Sequence, residues 1–231
     1  MIDTRRMTVE GIATSVHIGG PGRTGPAGPG LTEAVVFVHG NPDSGSDWMP
    51  LMTRVARFAT VVAPDLPGFG SAAARPDGDY TIYSYARFLH GVIEKLGIQR
   101  VHLVAHDFGG PFAAAWAADH PDRVASVTFV NTGVLVGYRW HRMARIWRTP
   151  VLGELSMRLL DPRTTAKVLS RENRGLSREW VQVIAGHLLP EKTRRAPIAT
   201  CADDEVATPS PRPRARPGTP TRSPALHLAS T

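Results

Sequence analysis

The chain has 231 residues, 42% of them hydrophobic, a single cysteine and a formal net charge of +7. That is enough apolar material for one sizeable core, so a wholly disordered protein is excluded, and Cys201 alone makes neither an internal disulfide nor a cysteine-based metal cluster. The opening residues hold no continuous apolar stretch and no later run reaches the roughly 18 apolar residues of a membrane span, so a soluble, cytoplasmic protein without membrane association is expected. The positive charge is spread over Arg139 to Arg148, Lys192 to Arg195 and Pro211 to Arg222 rather than along one recognition helix. It reads as solvated faces and a tail, and no nucleic-acid partner is expected.

Residues 12 to 18 (IATSVHI) read as an early strand, and the Gly/Pro stretch from Gly19 to Gly30 as a loop, since no helix follows its glycines. Ala34 to Gly40 (AVVFVHG) is a β-branched run ending at a glycine turn, which predicts a buried strand. Asp47 to Phe58 carries apolar residues at helical spacing, with Pro50 in the first turn. Thr60 to Gly70 gives another buried strand and a turn, and Tyr80 to Gly97 an amphipathic helix closed by its glycine. From Val101 (VHLVAHDFGGPFAAAWA) a strand runs straight into an acid, Asp107, and then into an Ala-rich helix through His120. Arg123 to Asn131 is a further strand. Strands alternating with helices imply an α/β fold, with a mostly parallel sheet covered on both faces.

After Asn131 the pattern turns helical and arginine-rich, and from about Ala196 it becomes Pro/Arg/Ser/Thr-rich without apolar periodicity. The expected organisation is residues 1–131 as core, 132–196 as a helical cover and 197–231 as a disordered tail, with no strand after Asn131.

In open α/β sheets, ligands gather beyond the carboxyl ends of the strands. Three such ends carry unusual residues here: VHGNPDSGSDW (Val38 to Trp48), PDLPGFG (Pro64 to Gly70) and AHDFGG (Ala105 to Gly110). A carboxylate at the exit of a buried strand is costly unless something uses it. Ala105-His106-Asp107-Phe108-Gly109 has the form of a nucleophile elbow, in which small residues flank a sharp strand-to-helix turn, and Asp107 stands at the apex where serine is usual. A carboxylate is already anionic at neutral pH and attacks a saturated carbon bearing a leaving group without prior deprotonation. The simpler role for Asp107 is a helix N-cap; the motifs at the two earlier strand ends favour the nucleophile.

HGNP (His39 to Pro42), DLPGFG (Asp65 to Gly70) and AHDFGG, in this order, resemble the α/β-hydrolase fold family, in the aspartate-nucleophile branch that includes epoxide hydrolases and haloalkane dehalogenases. The resemblance covers roughly residues 8 to 200. It implies that Asp107 forms an alkyl ester, that the amides of Asn41 and Phe108 stabilise the oxyanion when water attacks that ester, and that residues 132–196 form a lid. By the same resemblance His39, with Gly40 and Pro42, supports the oxyanion loop rather than acting as a base, and His106 packs or hydrogen-bonds within the elbow. Trp48 and Tyr138 are candidate walls of a small-molecule pocket, as is Trp140. No metal and no cofactor is implied. The helix opening at Gly109 is expected to keep Asp107 ionised.

The substrate stays open between epoxides and haloalkanes. In dehalogenases an asparagine at the position of Asn41 helps hold the halide, but a tryptophan follows the nucleophile, and Phe108 has no donor to replace it. Epoxide hydrolases use a pair of lid tyrosines; Tyr138 is one candidate, and the other tyrosines lie at 80, 83 and 85. The alternatives are an ester or lactone hydrolase, or a non-catalytic protein of this fold that binds an anionic partner through its basic lid and tail. The family's triad order is nucleophile, acid, histidine. Beyond the lid region the one histidine is His227, while Asp203 and Asp204 follow no strand. The expectation is a chain truncated or frame-shifted near residue 196, lacking the last strands of the core, impaired in turnover, and leaving Ser126 to Val130 as an open sheet edge. The oligomeric state is not legible.

Overall fold

The structure, a computed structural model, describes residues 1–21, 32–132, 142–147, 149–159, 161–172, 174–187 and 225–229. Among the described residues seven strands form one sheet: β1 (Ile2–Val9), β2 (Ile12–Gly19), β3 (Glu33–Val38), β4 (Val61–Pro64), β5 (Arg100–His106), β6 (Val124–Val130) and β7 (Ala225–Ala229). Across the sheet the order is β1-β2-β4-β3-β5-β6-β7. The β1–β2 and β2–β4 pairs are antiparallel, and every pair from β4 to β7 is parallel. The mostly parallel sheet read from the alternating pattern is therefore present, with an antiparallel edge added to it.

Three helices cross between the parallel strands: α1 (Met49–Val55), α2 (Ile82–Lys95) and α3 (Gly109–Asp119). A 3-10 turn, Gly45–Trp48, leads into α1, and Pro50 falls in that helix's first turn, where a missing N–H costs nothing. The hydroxyl of Thr81 caps α2 by accepting from the Ser84 amide at 3.3 Å. One face of the sheet packs under Tyr85, Phe88, Leu89, Val92 and Ile93 of α2 and Phe112, Ala113 and Trp116 of α3. The other face, through Phe37, Val61 and Ala63, packs on Met52 of α1. Side chains such as Phe88 and Leu89, wholly removed from solvent, each contribute about 1.5–3 kcal/mol.

Two strands were not legible in the sequence. β1 carries Asp3, Arg5 and Arg6 and buries few of its residues, as an edge strand does; it pairs with β2 through Glu10 and Gly11, both at positive φ (50° and 78°), the twist a tight hairpin needs. At the other edge, the expectation of no strand after Asn131 is corrected: Ala225–Ala229 lies parallel to β6, from Ser126 opposite Ala225 to Val130 opposite Ala229. The segment read as an open edge is thus covered. ALHLA is a five-residue run inside Pro- and Arg-rich flanks, too short for its periodicity to stand out. The remainder of the expected tail, with Cys201, Asp203 and Asp204, lies outside the described residues.

After β6 come α4 (Arg142–Trp147), α5 (Leu152–Leu159), α6 (Pro162–Glu172) and α7 (Arg178–His187). Ile146 and Trp147 of α4 reach the main core, while α6 and α7 pack together through Ala166, Leu169, Val181 and Ala185. The end of α7 is tied to the 3-10 turn by His187 Nε2, 3.0 Å from the Asp47 carboxylate. No helix among the described residues is long and apolar enough to cross a membrane.

Candidate active site

At the end of β5 the chain turns into α3 within two residues, and Asp107 takes the turn at φ 48°. A left-handed backbone costs a non-glycine residue about 1–2 kcal/mol and persists only where its surroundings enforce it. They do so here: the Asp107 carbonyl accepts from the Gly110 amide at 3.0 Å and from Thr132 Oγ1 at 2.5 Å. A Cβ on Gly109 would stand 2.4 Å from the Val38 carbonyl oxygen, so only glycine lets α3 begin this close to β3.

The loop after β3 approaches from the other side. Asn41 N–H donates to Asp107 Oδ2 at 2.9 Å, across the loop whose Asn41–Pro42 peptide is cis, and the Phe108 amide hydrogen-bonds the same carboxyl. Gly40 lies flat against the acid, where a Cβ would meet Asp107 Cβ at 2.4 Å. The structure therefore brings Gly40, Asn41, Asp107 and Phe108 together. Asp107 itself is half-buried, with part of its surface still open.

His39 is fully enclosed and both its nitrogens are committed. Its Nε2 accepts from the Leu66 amide at 2.9 Å, so the proton sits on Nδ1 and is donated to the Gly40 carbonyl at 2.9 Å. Burial holds its pKa below the ordinary histidine value, against the pull of Asp65 and Asp43. The ring ties the Gly40 loop to the loop after β4. In that second loop Asp65 accepts from Gly45 N, Ser71 N and Ser71 Oγ, each at 2.8 Å. The DLPGFG motif is thus a brace for the loops around the elbow.

Sequence reasoning missed Asp43. His106 Nδ1 donates to Asp43 Oδ2 at 2.8 Å, and the same oxygen accepts from Gly40 N at 3.3 Å. Burial lowers the His106 pKa, but the bond to Asp43 and the charges around it outweigh that and carry it above the ordinary value; burial raises Asp43, and His106 brings it below the ordinary value. The signal available was an acid directly after HGNP and a histidine directly before the elbow acid. Trp48 packs on Phe37, with ring centroids 5.2 Å apart, and meets His106 edge-on at 6.4 Å. Tyr138 and Trp140 lie outside the described residues.

Opposing influences act on the Asp107 carboxyl. Burial is the largest influence and drives its pKa up; the Asn41 and Phe108 amides oppose it, the Asp43 charge reinforces it, and His106 opposes it, with a net rise. Two amides on one carboxyl do not replace the water it has lost. The two imidazoles nearest these loops are turned to other acids, His106 to Asp43 and His187 to Asp47, while by backbone register His227 stands mid-strand in β7 opposite Thr128. Among the described residues no three histidine, cysteine or acid side chains converge to hold a metal ion. A separate polar cavity of about 400 Å³, lined by Ser15, His17, Ser44, Asp65 and His187 among others, includes neither Asp107 nor Asn41 in its wall.

An acid at the apex of a strand-turn-helix elbow, faced by two amides in a mostly parallel sheet, defines an α/β-hydrolase-type site. Residues 33–172 match the family model of the alpha/beta hydrolase fold, and the chain belongs to that family. It is 31% identical over 195 residues to a haloalkane dehalogenase of Mesorhizobium japonicum, a match covering 83% of this chain and 56% of the relative. With a haloalkane dehalogenase of Agrobacterium fabrum it shares 28% over 182 residues, 79% of this chain and 54% of the relative. The chain spans little more than half the length of these curated relatives. The solved epoxide hydrolase CorEH superposes with a TM-score of 0.70 at 20% identity, covering 87% of this chain and 73% of that one, a likeness of fold alone. Haloalkane dehalogenase DbeA from Bradyrhizobium elkani gives 0.69 at 27% identity, over 87% of this chain and 68% of that one.

Proposed function

We propose that this protein acts on small electrophiles at saturated carbon, epoxides or haloalkanes, with Asp107 as nucleophile. The observation that carries the reading is the Asp107 carboxylate at the elbow apex, at φ 48° and 2.9 Å from the Asn41 amide. Asp107 attacks the carbon; either the carbon–halogen bond breaks and halide departs, or one epoxide carbon–oxygen bond breaks and the oxygen stays on the alkyl chain as an alkoxide that takes a proton from water. The product is an alkyl ester of Asp107. Water attacking Cγ would place an oxyanion before the Asn41 and Phe108 amides, and collapse would release an alcohol or diol. Helices α4 to α7 serve in this reading as the lid that limits water.

Saturated carbon is favoured over esters or lactones because a carboxylate attacking an ester carbonyl yields an anhydride, an uphill acyl transfer, whereas displacement of halide or opening of a strained ring runs downhill. The dehalogenase relatives support haloalkanes; the donorless Phe108 after the nucleophile weighs on the epoxide side. A non-catalytic role binding an anionic partner through the basic segments rests on charge alone.

Hydrolysis of that ester needs a base that activates water at Asp107, and in this reading the chain is alkylated once and keeps its ester. Intact-protein mass spectrometry after incubation with 1,2-epoxyhexane or 1-bromohexane tests this. The expected result is a single hydroxyalkyl or alkyl addition. Absence of any addition with both probes would overturn the nucleophile, and steady release of diol or alcohol over many turnovers would overturn the persistent ester.

A further inference from the structure

We propose that His106 and Asp43 form a positioning pair that sets the Asn41 amide against Asp107, so that the nucleophilic step follows the charge on His106. For its chemistry the proposal rests on Asp107 being the nucleophile; for its geometry it does not.

Gly40 has no side chain and admits none, because a Cβ would collide with Asp107, so this residue is held through its backbone alone. A glycine backbone is also the most freely variable one. Two side chains grip it. His39 Nδ1 holds the Gly40 carbonyl at 2.9 Å, and Asp43 Oδ2 holds the Gly40 amide at 3.3 Å. The peptide whose carbonyl His39 holds also carries the Asn41 N–H that reaches Asp107 Oδ2 at 2.9 Å, and Asp43 fixes the peptide just before it. Asp43 is in turn fixed by His106 Nδ1 at 2.8 Å. His106 closes β5 and directly precedes the nucleophile, so the loop is measured against the strand that bears the acid it serves.

The pair is shielded but not sealed: the His106 side chain is 35% exposed and that of Asp43 15%. Proton exchange with solvent is therefore open. The charged groups acting on His106 are Asp43 beside it, Asp107 on the elbow and Asp47 on the 3-10 turn, the last also paired with His187 from α7. On its other side Asp43 feels His39. His106 stands among acids, and that surround, after the opposing effect of burial, raises its pKa above the ordinary histidine value.

When the proton leaves, two things change together. The bond to Asp43 loses its charge assistance, and such bonds are roughly twice as strong as neutral ones. The Asp43 charge then acts on Asp107 without its counterion. The loop loosens, and the Asp107 carboxyl loses a well-placed donor while it feels more of the Asp43 charge, so less of it is ionised. Alkylation should therefore rise with pH as Asp107 ionises and fall again as His106 deprotonates.

Two measurements on the full chain test this. The first follows the amide resonances of Gly40 and Asn41 and the imidazole of His106 by NMR from pH 5.5 to 9. The expected result is one shared midpoint in the wild-type protein, lost from both amides in His106→Asn. The second follows the rate of adduct formation with 1,2-epoxyhexane over the same range. His106→Asn, which keeps a donor without the charge, is expected to lose the falling limb and to slow the reaction by roughly 10-fold at neutral pH. Asp43→Asn should lose the same limb, since the imidazole then titrates without its anion. Amides that do not move with the imidazole, or a falling limb that survives in His106→Asn, would overturn the proposal. Amides that titrate with His106 in a protein that forms no adduct would leave the pair standing and remove the nucleophile.

Discussion

Asp65 and Asp107 both sit just past the carboxyl ends of parallel strands, and the protein treats them in opposite ways. Asp65 is 4% exposed and its oxygens are filled by Gly45 N, Ser71 N and Ser71 Oγ. Asp107 keeps part of its surface open, has a strained backbone, and has its pKa driven up by burial that two amides do not offset. A carboxylate saturated with donors joins loops; one that is strained, accessible and under-solvated is available to react. Burial of an acid does not by itself mark a site, whereas the manner of its compensation does.

Substitutions at the two acids should separate along that line. The largest effect belongs to Asp107→Asn, which keeps the shape and removes the anion: adduct formation should fall by at least about 10³-fold in a single-turnover assay. The same change should leave stability to urea unchanged or raise it by about 1 kcal/mol, because an under-solvated charge is relieved. Asp65→Ala should do the reverse in kind, lowering stability by about 3 kcal/mol through three orphaned donors. If Asp65→Ala unfolds at the wild-type urea midpoint while losing adduct formation, the two roles have been exchanged.

Next in size is Gly40→Ala. Its methyl has to displace Asp107 or the Asn41 loop, and adduct formation should drop by about 10- to 100-fold, read in the same assay, with circular dichroism confirming that the sheet persists. The smallest effects are in the pH dependence of stability. The folded state binds the Asp107 proton more tightly than the unfolded chain, where the value is near 3.8, so stability declines as pH rises from there through the raised folded value. That slope should vanish in Asp107→Asn. His39 acts in the opposite sense: the folded state keeps it neutral, the unfolded chain takes a proton below about 6.5, and its contribution is lost as pH falls through that range. Urea midpoints between pH 4 and 8, compared with those of His39→Gln, would show it.

The elbow was legible because each of its requirements is local. A β-branched run, an acid, and glycines where the helix must pack close are all written within Val101 to Gly110. The parallel sheet was legible because its buried strands are nearly continuous apolar runs. What escaped depends on long-range pairing. β1 is stabilised mainly by lying beside β2, and β7 by lying beside β6, so neither needs a strong pattern of its own. The Asp43–His106 contact joins residues 63 positions apart, and no spacing rule announces it. The net rise in the Asp107 pKa was missed for a related reason: the helix N-terminus can be read from sequence, but the depth of burial that outweighs the amides cannot.

The central claim is that the Asp107 carboxylate forms the covalent bond. Its most direct test is peptide mapping by tandem mass spectrometry after incubation of the wild-type and Asp107→Asn proteins with 1,2-epoxyhexane. The account predicts a hydroxyhexyl group on Asp107 in the wild-type protein and none at this position in the variant. An unmodified Asp107, with equal labelling of other side chains in both proteins, would contradict it.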